Sequence, residues 1–409
     1  MTETPSYNPR IHWFALVTCV ATLGLIGVGG VVTSTGVGMA VPDWPNTYGY
    51  NMFFFPFSQW VGGILWEHSH RLFASGVGLL TLILCLWTFG RPARGALRWV
   101  LVPLSGGGAL VSWKTGRFQD AAFLGGVCLV ALAVSFVWPR CRPSRPLLKI
   151  MGVVALVGVI GQGILGGLRV TLFADQIGII HAAIAQLFFV LLCGFTLVSS
   201  RWWSRLGQQS RPEKVSRVIG WGMGVLTLMV LFQLVLGASM RHQHAGLAVT
   251  EFPLVAYGKL WPATDEASID KLNRERVDHR EFEPITKNQI LLHMAHRMMA
   301  LSLFLAAGIW TWVCVRKEPK GHLVGSLMIV WFSMICVQAL LGAATVWSNK
   351  AADIATLHVV LGALTLALGA LSSMIALRLA QTIPAGVSTS VSSYPDLASV
   401  AERPSAGVV

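Results

Sequence analysis

"WEHSHRLF", residues 66–73, opens an apolar run and places Glu67, His68, His70 and Arg71 within five positions of one another. Ionisable side chains are costly in a bilayer, so each of the four is a functional candidate by default. The stretch decides the fold because it recurs. "EHSHR" (67–71) matches "HMAHR" (293–297) at an offset of 226. "GVGMAVPDWP" (36–45) matches "HAGLAVTEFP" (244–253) at 208, "GQGILGGLRV" (161–170) matches "VQALLGAATV" (337–346) at 176, and "IIHAAIAQ" (179–186) matches "TLHVVLGA" (356–363) at 177. The order is the same in both halves, which is the mark of a tandem duplication.

The chain around these matches belongs to a membrane. Of 409 residues, 54% are hydrophobic and 12% charged, and mean hydropathy is +0.63. Soluble domains carry about a quarter charged residues. A helix needs about 20 apolar residues to span a bilayer. Clear candidates lie at 11–33, 64–89, 148–168, 177–199, 216–238, 290–314, 322–346 and 355–377, with weaker runs at 97–113 and 120–138. The expected fold class is therefore all-α integral membrane, a tandem duplication of a four-helix transmembrane bundle with eight core helices and two inserted ones. The first span reads as a retained helix, not a cleaved signal.

Net charge is +13. The basic residues sit in short connections between apolar runs, which excludes nucleic acid as the reason and fits the positive-inside rule. Arg91, Arg94 and Arg98, then Arg140, Arg142, Arg145 and Lys149, then Arg201 to Arg217, then Arg316, Lys317 and Lys320 all fall on one side if the N-terminus is cytoplasmic. The seven cysteines are scattered without a CxxC, so neither a disulfide framework nor a zinc site is expected.

The offsets divide the chain. An N-terminal bundle covers 1–199, a basic cytoplasmic linker 200–217 and a C-terminal bundle 218–380, with a disordered tail over 381–409. The rise from 208 to 226 puts about 18 extra residues in the second half's long outer loop, 240–289. The fall to 176 puts about 50 extra residues in the first half, an apolar hairpin within about 91–145. The halves run parallel, so an axis along the membrane normal relates them.

Four of the eleven histidines occupy equivalent positions near outer helix starts: His70 and His181, His296 and His358. Two histidines on different helices of one bundle are the arrangement for a six-coordinate haem iron. Zinc would want three or four ligands. His12 and His322 flank helices; His242, His244 and His279 fall in or beside the outer loop, where His242 and His244 suit a site mouth. "GMAVPDWPNTYGYNMFFFP" and "GLAVTEFPLVAYGKLWP" read as lids over each bundle, with Asp43 and Glu251 as structural acids.

These segments, in this order, resemble the heme A synthase family over about 300 residues, leaving out 91–145, the outer-loop insert and the tail. The resemblance implies a membrane enzyme that oxidises the C8 methyl of heme O to a formyl group by successive hydroxylations, for terminal oxidase biogenesis in the cell membrane. It implies that His70 and His181 ligate the substrate haem, that His296 and His358 ligate haem b, and that Glu67 is catalytic. Expected partners are heme O, the farnesyltransferase that makes it, an electron donor or acceptor, and lipid. Some members carry a cysteine pair in the first outer loop; none is present here, which removes a redox disulfide from the expected chemistry.

Glu67 precedes His70 by one helical turn and so shares its face. Arg71 and Arg297 follow the first ligand in both halves and suit haem propionates, which Arg binds bidentately; snorkelling to the interface suits them as well. The rival is a bis-histidine dihaem electron carrier with equivalent halves. A transporter would leave the paired histidines unexplained. Glu67 aligns with His293, so the carboxylate belongs to the first half alone, which argues for the enzyme.

Overall fold

The computed structural model describes residues 7–139, 143–206, 215–255, 260–275, 284–317 and 323–381. The expected tail lies outside them from 382 on, as do 207–214 of the linker, Arg140 and Arg142, His279 and His322.

Helix boundaries follow local chemistry. Helix α1 (Pro9–Ser34) starts behind Asn8, whose side chain accepts from the Arg10 and Ile11 amides, with Pro9 in the first turn where its missing N–H costs nothing. It stops at Gly36, which takes a φ of 72°. Helix α2 (Gly62–Phe89) carries the quoted stretch. Between them runs a loop with the two-residue strands β1 (Asn46–Thr47) and β2 (Tyr50–Asn51), paired antiparallel.

The insertion follows. Helix α3 (Ala93–Ala96) passes through a π turn (Leu97–Leu101) into α4 (Val102–Lys114), and α5 (Phe118–Val137) returns. Pro103 sits in the first turn of α4, has no N–H, and its ring crowds the carbonyl four residues back; the wider turn before it relieves this. The insertion is thus the expected pair of helices, its first arm helical from Ala93 to Lys114 through the π turn. Among the described residues nine helices are long and apolar enough to cross a membrane, and α4, at 13 residues, is not one of them by itself.

The remaining helices are α6 (Pro146–Thr171), α7 (Asp175–Ser199), the short α8 (Arg201–Leu206) inside the expected linker, α9 (Arg217–His242), α10 (Glu266–Arg274), α11 (Lys287–Lys317), α12 (Leu323–Trp347) and α13 (Ala352–Leu379). The sequence reading has no counterpart for α10. Asp265 caps it by accepting from the Ser268 amide, and Ile269 and Leu272 pack on a small core formed by Val249, Val255, Ile285, Ile290 and Met294. Asn273 fixes its end by bonding both the amide and the carbonyl of Ile285.

Two rings of helices result. In the first, α1, α2, α6 and α7 pack in that cyclic order; in the second, α9, α11, α12 and α13 do the same. The rings meet through α1 on α13, α7 on α9 and α7 on α13. This joint is lined with small residues, which let helices approach closely where lipid offers no hydrophobic drive. Gly27 and Gly30 of α1 face Val360 and Thr356 of α13, and Ala363 and Ala367 of α13 pack into the core of the first ring. Ser373 donates to the Gly220 carbonyl at 2.8 Å and Trp331 Nε1 to that of Thr365 at 2.8 Å, so these buried polar groups are satisfied inside the protein.

Candidate functional site

At the end of the rings that carries the starts of α2, α7, α11 and α13, a cavity of about 2650 Å³ lies between the two sets of helices. A single small-molecule pocket is about 300–1,000 Å³. His70, His181, His296 and His358 all line it, as does Glu67. Within each ring the two histidines lie close enough for their charges to interact, His70 with His181 and His296 with His358.

Each imidazole rests against a glycine of the next helix. A Cβ at Gly29 on α1 would stand 3.0 Å from His70 Nε2, and one at Gly237 on α9 would stand 3.2 Å from His296 Cε1. On the far side, a Cβ at Gly166 on α6 would lie 3.5 Å from His181 Cε1, and one at Gly342 on α12 would lie 3.4 Å from His358 Cε1. These glycines match each other by the same offsets of 208 and 176 that align the sequence. Both His181 Nδ1 and His358 Nδ1 are buried without a hydrogen-bond partner. A buried orphaned polar atom is costly and calls for an explanation.

Among the described residues no three His, Cys, Asp or Glu side chains cluster around a point that would hold a bare metal ion. The histidines come in pairs, each cradled where a side chain is missing. A flat macrocycle that brings its own four nitrogens to iron needs only two protein ligands. The residues present fit a haem in each ring.

Glu67 is 3% exposed and has a partner at each oxygen. Its Oε2 accepts from the Val41 amide at 2.8 Å, and its Oε1 faces Arg71 Nη2 at 2.7 Å. Arg71 also donates to the carbonyls of Val41 at 2.6 Å, Asp43 at 2.6 Å and Asn46 at 3.1 Å. Arg297 donates to the carbonyls of Val249 and Glu251, the residues that align with Val41 and Asp43. Both arginines hold the loop that covers their ring and also line the cavity, and Arg297 Nη1 is buried with no hydrogen-bond partner among the described residues. Asp43 shapes its loop by accepting from the Tyr48 and Gly49 amides at 2.8 Å, and it caps no helix.

His68 turns away from the cavity. It is buried against Phe55 and Trp60 and lies 3.2 Å from Thr47 Oγ1. His293, at the position matching Glu67, holds the second loop through the Ala245 carbonyl at 3.1 Å. His12 braces α1 on α7 through the Thr196 carbonyl and Ser199. His242 and His244 do line the cavity.

Sequence reasoning missed three cavity residues. Arg169, at the end of α6, lies beside Gly38, where a Cβ would be 3.1 Å from its Nη1; at the matching Gly246 the neighbour is Lys350. Arg241, on α9, crosses to the other ring and donates to the Gly30 carbonyl at 2.6 Å and to Ser34 Oγ. Gln233 Nε2 lies 3.1 Å from His296 Nε2, where the first half has Leu25. None of the three has a like residue in the other half, so the repeat could not mark them.

Fold and site together define a class: a polytopic helical membrane protein with paired histidines cradled in each of two rings. The family model for the cytochrome oxidase assembly protein (COX15-CtaA) matches residues 120–370, and the chain belongs to that family. Curated relatives include the Heme A synthase of Beijerinckia indica, 30% identical over 197 residues, 44% of this chain and 49% of that protein. The Heme A synthase of Shewanella oneidensis is 31% identical over 187 residues, 39% and 56% of the two chains. These matches span about half the length of either relative. The Heme A synthase of Bacillus mycoides is 23% identical over 353 residues, 85% of this chain and 87% of the relative.

Proposed function

We propose that this protein is a heme A synthase that oxidises the C8 methyl of heme O to a formyl group. The observation that carries the reading is the pair of cradles: four histidines at aligned positions, each against an aligned glycine, in a chain of this family. In this reading 1–199 is the substrate half and 218–380 the electron-transfer half. His70 and His181 hold the heme O iron. His296 and His358 hold haem b, which supplies electron transfer when bound. The N-terminus is cytoplasmic and the histidine ends of the helices face outward, as the basic connections require.

Glu67 supplies the anion beside the methyl carbon. Positive charge develops there as electrons leave, and a fixed carboxylate in a water-poor site opposes it. A carboxylate offers about four lone-pair positions; the Val41 amide and Arg71 occupy two, and acceptors remain for the substrate edge or for a proton of incoming water. Each hydroxylation replaces one hydrogen of the carbon by the hydroxyl of a water and releases two protons and, to an external electron acceptor, two electrons; after the second, the gem-diol loses water to give the aldehyde. The dihaem carrier would need no difference between the halves, whereas Glu67 stands opposite His293.

The test is to express the protein with a source of heme O and identify the bound haems by mass spectrometry. Hydroxylated and formylated products are expected beside haem b. Haem b alone, with heme O available and unaltered, would remove the reading.

A further inference from the structure

We infer that Arg169 seats a carboxylate of the substrate macrocycle and thereby selects which methyl meets Glu67. The inference rests on the haem reading above and deepens it.

Arg71 is committed to Glu67 and to three loop carbonyls, so a second cation in the first ring bears on the substrate. Arg169 lines the cavity and makes no hydrogen bond to the loop among the described residues. Its Nε is buried with no hydrogen-bond partner among the described residues. Its one ion pair among the described residues, to the half-exposed Asp175, is long at 3.9 Å. A guanidinium has five donors in a planar fork that fits a carboxylate bidentately. Arg169 is close enough to His70, His181 and Glu67 for their charges to interact, so it stands among the groups assigned to the substrate. Gly38 admits it: any side chain there would meet the guanidinium. Arg241 lies within the same electrostatic neighbourhood and adds to the positive potential.

The chemistry of the substrate turns this into selectivity. On a haem two of the four ring methyls, C5 and C8, share their pyrroles with a propionate. A cation that holds a propionate within reach of Glu67 brings the methyl beside it to the carboxylate, while the two methyls on the pyrroles without propionates face away. Arg169 is thus a positioning residue, acting on the substrate's anionic edge.

The experiment compares binding of iron protoporphyrin and of its dimethyl ester, which lacks the negative charges, followed at the Soret band of full-length protein purified from haem-deficient cells. Wild type should bind the free acid at least about tenfold more tightly than the diester at both equivalents, the scale of one charge-assisted hydrogen-bonded contact. Arg169→Gln should lose that preference at one equivalent and keep it at the other. Arg169→Lys should retain part of it, which separates lost charge from lost folding. An Arg169→Gln protein that keeps the full preference at both equivalents overturns the inference and leaves the haem reading standing. Failure of wild type to bind either porphyrin with a six-coordinate spectrum would instead remove the haem reading itself.

Discussion

Arg71 Nη2 lies 2.7 Å from Glu67 Oε1, one turn along α2, and the same guanidinium reaches three carbonyls of the loop that covers the ring. The carboxylate assigned to chemistry is therefore also a structural acceptor: the loop amide of Val41 and the helix arginine hold it from both sides. This gives the helix stretch and its loop one shared, buried network, in which each member fixes the next.

Removing Arg71 should cost far more than removing the charge of Glu67. Arg71→Met leaves a buried carboxylate unpaired and three carbonyls without their donor, and breaking a buried pair in this way costs about 3–5 kcal/mol. Glu67→Gln keeps an acceptor for the Val41 amide and should cost about 1–3 kcal/mol. Arg297→Met, which has no acidic partner at His293, should fall below Arg71→Met. Thermal unfolding in detergent gives the order; equal losses in all three would show that the ion pair contributes nothing.

Glu67→Ala should separate binding from conversion. The histidine pairs and their glycines do not depend on the carboxylate, so haem content should stay near the wild-type value. Conversion of heme O should fall by about 10²–10³-fold, the scale for one electrostatic stabiliser. Product analysis by mass spectrometry checks it, and wild-type levels of formylated product would sink the role given to Glu67.

The glycine cradles predict a graded series. A methyl at Gly29 would stand 3.0 Å from His70 Nε2, and one at Gly237 would stand 3.2 Å from His296, closer than neighbours tolerate without moving. At Gly166 and Gly342 the distances of 3.5 and 3.4 Å are ordinary contact. Gly29→Ala should therefore lower haem occupancy in the first ring only, and Gly237→Ala in the second only. Gly166→Ala and Gly342→Ala should be milder. Haem per protein, with the spectrum of the remaining site, reads the result.

The repeat explains what the sequence could and could not show. Aligned offsets rank His70 over His68 and pair it with His296, because a residue that recurs in both halves stands out against one that does not. The same logic is blind to Arg169, Arg241 and Gln233, whose counterparts are Thr345, Thr33 and Leu25. Recurrence marks a shared task, but only the fold shows that Val41 and Val249 present their carbonyls to Arg71 and Arg297. Helix α10 is invisible for a different reason: it is short, polar on one face, and stabilised by packing on Val255 and Ile285 instead of by an apolar run.

The inserted hairpin should be removable. No described residue between 90 and 155 lines the cavity. Its two ends are already neighbours, since the Ser144 amide donates to the Thr88 carbonyl at 2.8 Å, so a short polar linker can join them without moving α2 or α6. What would be lost are attachments. Trp138 Nε1 donates to the Gly90 carbonyl at 3.2 Å, Asn51 donates to Asp120 at 2.8 Å, and Phe53 stacks on Phe123 with centroids 4.5 Å apart. One buried hydrogen bond and one aromatic pair contribute about 0.5–1.5 kcal/mol each. Replacing 91–143 should therefore lower the unfolding temperature by several degrees while both haems remain bound. The loop around Asn51 should become more open to proteolysis, because its anchor on α5 is gone. Loss of the first-ring haem on excision would mean instead that the hairpin holds α2 in place against α6, and that the insertion has become part of the ring.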